Sequence, residues 1–428
     1  MEMEQFSLFD YLKDNTEIDK SKLDLLKSEL DRRIYFYGEH FKYPKERSGG
    51  GRSVKSRAKD LLKDIYAGFF LSKGGRKTNK KNILSNAYFS VNDELAKQNF
   101  NVFRPMHKPI PGEYLIAGNL GVYKNFLKIN HYIRESDFKY LISEEFFAQL
   151  DSFIDQLTDY YRSMNITSLI VYNDTLFFEL VNIEIFKRLK KPSFIFLHGL
   201  PVTYNTYDNN QTDYFVVWGK KIKENYVNVG FDPDKILISG HPFYKKPPDV
   251  KLRNNLDDIL VLSKPLDVGQ SKDKVRLGDR GNSIIYLYSI EKILKSLGIR
   301  RVRLRIHPQD NINWYYKFIN RDFFAIDRDP LRMSLGKSTL VIGPTSTVFL
   351  EAIYYGVNYL VYEPTVSGLD LSGYSLTPPF DGSDNKVPTA NDEESLKLLL
   401  KEKALVDRTI FNDYIDTPFN IRVITDRI

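Results

Sequence analysis

The chain has 428 residues, of which 42% are hydrophobic, 14% aromatic and 27% charged; this excludes a disordered or collagen-like polymer and is long enough for two cores. The net charge of +7 favours anionic partners, and the absence of cysteine removes disulfides, thiolate metal sites and cysteine nucleophiles. No apolar run approaches the roughly eighteen residues of a membrane span, and the acidic opening MEMEQFSLFDYLKDN lacks the basic and apolar regions of a signal peptide.

In chain order, residues 1–45 read as helical, with LDLLKSELDRRIYFY carrying an apolar stripe at spacings of three and four. From Lys45 to Lys81 there are twelve Lys/Arg against three Asp/Glu. That stretch predicts either a solvated basic surface or one that touches anionic lipid or a lipid-linked acceptor; no nucleic-acid-binding motif accompanies it. NILSNAYFSV and EYLIAG then begin an alternation of apolar strands with helices such as EEFFAQLDSFIDQLTDYYRSM. SLIVYND, TLFFELVNIEIFKRLK, SFIFLHG, DYFVVWG, KKIKENYVNVG and KILISG continue it, which predicts a parallel sheet with crossover helices. The proline-rich segment HPFYKKPPDVKLRNNLDD reads as a linker, with His241 and Pro242 stiffening its first turn.

A second set follows: DILVLSK, SIIYLYSIEKILKSLG, RVRLRIHP, STLVIGP, STVFLEAIYYG and NYLVYEP. Gly230, Gly298 and Gly356 close three of the helices. The predicted fold is α/β, with two Rossmann-like parallel-sheet domains facing a central cleft. They span residues 1–243 (acceptor side, with the basic region) and 244–410 (nucleotide side), and a tail, 411–428, packs back on the first.

Candidate site residues all lie just after strands, where ligands bind in such sheets. The strongest signal is IGPTSTVFLEA, where Thr345, Ser346 and Thr347 stand between Pro344 and a helix opening. Converging hydroxyls and helix N–H groups suit a phosphate, although hydroxyls at that place also serve as helix caps. His307, held by Pro308 at a strand end, can donate to the same phosphate, and Arg303 and Arg305 alternate on one face of its strand. Lys264 ends the first strand of this set and can neutralise a leaving phosphate or sit in solvent. Glu351, one turn into the helix, can accept from ribose hydroxyls. In the first domain Asp174 is either a helix N-cap beside Asn173 or a general base, and His198, before Gly199, competes for the base role.

These residues resemble the bacterial GT-B glycosyltransferases that use CMP-activated sugars, the sialyl- and polysialyltransferases and related capsule and lipopolysaccharide enzymes. The resemblance implies that His307 and Pro308 bind the nucleotide phosphate and assist its departure while Ser346 and Thr347 hold it. In that family the base belongs to an acidic triplet of the first domain; this chain has no such triplet at the expected strand ends. FLHGLP, DYFVVWGKKIKENYVNVGF and KILISGHP also look like polyol-phosphate transferases that use CDP-glycerol, which implies His198 as base, and like UDP-sugar 2-epimerases.

The expectation is a nucleotide-sugar-dependent glycosyltransferase that moves an acidic ulosonate from CMP to a glycan or lipid-linked acceptor, with inversion. No metal-binding pattern such as HExxH, DxD or Walker A occurs, so no metal and no cofactor beyond the donor is required. The expected location is cytoplasmic, at the inner face of the membrane if residues 45–81 touch it. Alternatives are polyol-phosphate transfer, epimerisation and a non-catalytic subunit of a polysaccharide assembly.

Overall fold

A computed structural model describes residues 8–31, 80–87, 89–107, 120–201, 203–244, 251–264, 279–308, 310, 312–366, 368–371 and 376–428. The basic stretch 45–81 lies outside them except for Lys80 and Lys81, as does the predicted strand EYLIAG.

The first sheet contains β1 (Asn82–Ser85), β2 (Asn101–Phe103), β3 (Ile166–Val171), β4 (Ser193–Phe196), β5 (Tyr214–Val217) and β6 (Ile236–Ile238), in the spatial order β2-β1-β3-β4-β5-β6. All its pairings are parallel. β3, β4 and β5 are buried on both faces, as expected of strands sandwiched between helices. The helices Glu144–Ser163 and Phe177–Leu189 lie against β3. Ser143 caps the former through its side chain, which accepts from Phe146 N–H. NILSNAYFSV is not one strand: it breaks after Ser85, and Phe89–Lys97 is a helix. The Ser85 hydroxyl accepts from Ala87 N–H at 3.2 Å, a local bond that turns the chain out of the sheet.

The second sheet contains β7 (Ile259–Leu262), β8 (Val302–Arg305), β9 (Phe324–Ile326), β10 (Leu340–Gly343), β11 (Asn358–Tyr362) and, after a short antiparallel hairpin formed by β12 (Thr365–Val366) and β13 (Leu369–Asp370), β14 (Thr389–Ala390). Its order is β14-β11-β10-β7-β8-β9, again all parallel. This is the doubly wound dinucleotide-binding order, in which the chain reverses direction across the sheet between β7 and β10 and opens a crevice at their carboxyl ends. Period-two alternation divides the strands cleanly: Ile259 and Val261 join the core of the outer face, whereas Leu260 and Leu262 join a core continuous with that of the first sheet.

The change of sheet falls between Ile238 and Ile259. Aromatic contacts close the junction, with Tyr244 at 5.4 Å from Tyr354 and 5.5 Å from Phe411. The chain end then returns to the first sheet, where Asp416 N–H donates to the Trp218 carbonyl at 2.8 Å and Asn420 N–H to the Ser239 carbonyl at 2.7 Å. His241 packs edge-on to Trp218 at 4.8 Å and its Nδ1 accepts from Phe243 N–H. Burial lowers its pKa to about 4, so it is a neutral structural ring at the junction. No helix among the described residues is long and apolar enough to cross a membrane.

Candidate functional site: a cleft between two sets of strand ends

The turn after β10 is anchored before any ligand arrives. Thr345 N–H donates to Glu363 at 2.8 Å, and the Pro344 carbonyl accepts from Tyr359 OH at 2.5 Å. Ser346 Oγ accepts from Val348 N–H at 3.2 Å. The N–H groups of Ser346 and Thr347 have no protein partner among the described residues, and Thr345 Oγ1 is buried without one. The helix that follows, Val348–Tyr354, has seven residues.

Thr347 does something that capping propensity does not anticipate. Its side chain makes no cap hydrogen bond; Thr347 Oγ1 instead accepts from Leu200 N–H of the first domain at 3.1 Å. A Cβ on Gly199 would stand 3.3 Å from the same oxygen, a tight but not forbidden contact. The loop after β4 is thereby held against the turn after β10.

His198 immediately precedes this contact. Its neighbour Leu197 is fixed twice to the adjacent strand end: its N–H donates to the Val216 carbonyl at 2.9 Å and its carbonyl accepts from Trp218 Nε1 at 3.0 Å. The imidazole lies edge-on to Tyr172, 6.4 Å between ring centres, and hydrogen-bonds to the Tyr172 backbone. The ring is exposed by area yet hemmed in by enough protein for desolvation to lower its pKa below the ordinary 6.5, against the opposing pull of the Tyr172 bond. A neutral imidazole whose one N–H is taken by a carbonyl presents a lone pair on the other nitrogen.

Asp174 has a different place. It is 3% exposed, and its two carboxylate oxygens accept from Asn209 N–H at 3.2 Å and Gln211 N–H at 3.0 Å. Burial pushes its pKa up against those two bonds. It is not the helix cap: Asn173 Oδ1 accepts from Thr175 N–H and Leu176 N–H at 2.8 and 3.0 Å. Asp174 therefore anchors the loop that precedes β5. Asp174→Ala should lower stability by on the order of 2 kcal/mol, because two partly buried N–H groups lose a buried acceptor; a denaturant midpoint equal to that of the parent protein would contradict this role.

Lys264 is corrected from the sequence expectation in one respect. Its side chain is 8% exposed and pairs with Glu363, whose side chain is fully buried, so it does not sit in solvent. Arg303 and Arg305 are likewise engaged. Arg303 bridges Asp258 and Asp327 at 2.6 Å each, and Arg305 donates to the Asp329 carbonyl at 2.7 Å, so the two tie together neighbouring loops. His307 is half-buried and its backbone is held at both ends: its N–H donates to Ser263 Oγ at 3.0 Å and its carbonyl accepts from Asp310 N–H at 2.9 Å. Pro308 is exposed beside it. Glu351 is half-buried, and burial raises its pKa although the Arg305 charge opposes the rise.

Two groups escaped the sequence reading. Glu363 follows the strand NYLVY, and a lone acid after four apolar residues and before a proline was its signal. The other group gathers at the ends of β1 and β2: Asn86 Nδ2 donates to Glu179 Oε1 at 3.2 Å, His107 Nε2 lies 3.2 Å from the same oxygen, and Arg104 donates to the Ala87 carbonyl at 2.9 Å. Nothing in the local pattern marks these residues, since they are scattered over a strand end, a loop and a helix.

No family model and no curated protein matches the chain. Solved structures similar to it include the UDP-GlcNAc 2-epimerase of Neisseria meningitidis bound to UDP-GlcNAc, 13% identical over 80% of this chain and 96% of that one, with a TM-score of 0.44. A variant of the wall teichoic acid polymerase TagF is 11% identical over 86% and 95%, TM-score 0.41. The apo lipopolysaccharide outer core galactosyltransferase WaaB is 11% identical over 82% and 100%, TM-score 0.43. At these identities and scores the likenesses assign no residue and no reaction.

Proposed function

We propose that the chain is a transferase that moves a group from a nucleotide-activated donor to an acceptor hydroxyl, with donor phosphate held by the second domain and the base supplied by the first. The observation that carries this reading is the bond between Leu200 N–H and Thr347 Oγ1, which brings the loop that carries His198 against the turn Pro344–Thr347. A proton acceptor next to an anion cradle is what transfer between two oxygen nucleophiles needs. His198 takes the proton of the acceptor hydroxyl, the acceptor oxygen forms the new bond, and the bond to the nucleotide phosphate breaks with its electron pair leaving on that phosphate. Ser346, Thr347 and His307 stabilise the negative charge that develops there. The finer reading is glycosyl transfer from a CMP-activated acidic sugar, supported by the His-Pro and Ser-Thr resemblance.

A second reading, polyol-phosphate transfer from a CDP-linked donor, is favoured by one observation: the group positioned as base is His198 before a glycine, whereas Asp174 is committed to backbone N–H groups. Product mass separates the two, as a glycoside or a phosphodiester. Conversion of UDP-GlcNAc without any acceptor would mark an epimerase instead.

The test begins with thermal unfolding in the presence of CMP, CDP, UDP, GDP and ADP, since a ligand that binds only the folded state raises its midpoint. Cytidine nucleotides are expected to give the largest rise, and His307→Ala to diminish it. A chain whose midpoint none of the five moves is not a nucleotide-dependent transferase.

A further inference from the structure

Three strand ends meet at the crevice of the second sheet, and one buried carboxylate ties them together. Lys264 follows β7, Thr345 follows β10 and Glu363 follows β11. One Glu363 oxygen, Oε1, accepts from Thr345 N–H at 2.8 Å, and the other, Oε2, accepts from Lys264 Nζ. The lysine is enclosed further by the Tyr286 ring, 5.7 Å from its ammonium, and its carbonyl accepts from Tyr315 OH at 3.0 Å.

We infer that Glu363 is a positioning residue for the turn Pro344–Thr347 and that Lys264 is its counter-ion, not a ligand of the donor phosphate. The inference rests on the donor-site reading above. By fixing the Thr345 amide, Glu363 sets the plane from which the next two N–H groups, those of Ser346 and Thr347, are offered to an incoming oxygen. A bare carboxylate at that place would repel the anion the turn is built to receive. Lys264 cancels that charge at close range, so the turn retains an acceptor for Thr345 without a net negative field. A buried pair of this kind behaves asymmetrically, because removing one partner leaves an uncompensated charge whereas removing both does not.

The asymmetry distinguishes positioning from direct contact. The parent protein, Lys264→Met, and the double variant Lys264→Met with Glu363→Gln are titrated calorimetrically with CMP, CDP and UDP, each after circular dichroism has confirmed folding. Lys264→Met should weaken binding by at least about tenfold, since the carboxylate is left unneutralised beside the anion. The double variant, in which the amide oxygen still accepts from Thr345 N–H and no charge is buried, should return to within about threefold of the parent. A folded double variant that binds as weakly as Lys264→Met would show that the ammonium itself holds phosphate, and would overturn the inference. Parent-level binding by Lys264→Met would overturn it as well. If Lys264→Met does not fold, the double variant alone decides, by whether it keeps parent-level binding. A parent protein that binds neither CMP, CDP nor UDP would remove the donor-site reading, and this inference with it.

Discussion

Replacing His198 with alanine should reduce turnover by about 10²- to 10⁴-fold, the usual contribution of a positioned general base, while nucleotide affinity stays close to that of the parent. The separation follows from geometry. His198 belongs to the first domain, and the bond to the turn is made by the backbone of its neighbour Leu200, so His198→Ala should remove a proton acceptor and leave that bond in place. The pH profile supplies an independent check. The imidazole accepts a proton only when neutral, and its pKa is lowered from 6.5 by burial. Activity should therefore fall as the solution is acidified, with its midpoint below 6.5. Asp174→Asn, which keeps one carbonyl acceptor for the loop before β5, should retain catalysis. If instead Asp174→Asn is inactive and His198→Ala is not, the base has been misassigned.

The largest effect on folding is expected at Gly240, where the chain leaves the first sheet. Its φ of +75° lies in the left-handed region, and a Cβ there would stand 2.2 Å from the Asp416 carbonyl oxygen. Both obstacles are backbone, so no side chain can swing aside. Left-handed strain and overpacking together put the cost of Gly240→Ala on the order of 3 kcal/mol or more. The damage should be local at first: Asn420 N–H donates to Ser239 beside this contact, so the returning segment 412–428 should detach and be cleaved early in limited proteolysis, together with a lower thermal midpoint. Gly281→Ala is the matched control. A Cβ there meets nothing within 4 Å, and alanine within the helix Asp279–Ser296 should be neutral or stabilising. Equal behaviour of the two variants would show that the tail does not depend on the Gly240 contact.

Much of the architecture was legible from periodicity. Helices such as EEFFAQLDSFIDQLTDYYRSM and TLFFELVNIEIFKRLK, and the strands SLIVY, SFIF and LVIG, stand where their patterns put them, because burial of one helix stripe or of both strand faces leaves a local signature. Short strands did not. β9 and β14, of three and two residues, are too brief to show a period and owe their state to pairing with β8 and β11. NILSNAYFSV read as one extended run because nothing in its apolar content reports the Ser85 hydroxyl bond that turns it.

The amino-acid order by itself determined that there are two parallel α/β sheets, that the chemistry-bearing residues follow strands, and that Thr345, Ser346 and Thr347 form a hydroxyl-rich turn. Those properties arise from neighbours a few residues apart. Only the tertiary structure decided that Lys264 is neutralised by Glu363, 99 positions away, that Thr347 serves the first domain through Leu200, 147 positions away, and that Asp174 anchors a loop while His198 stays exposed after β4. Each of these depends on which buried polar group finds which partner. A buried donor or acceptor must be satisfied by whatever the fold brings within about 3 Å, and that proximity is created by chain crossings that no local pattern encodes.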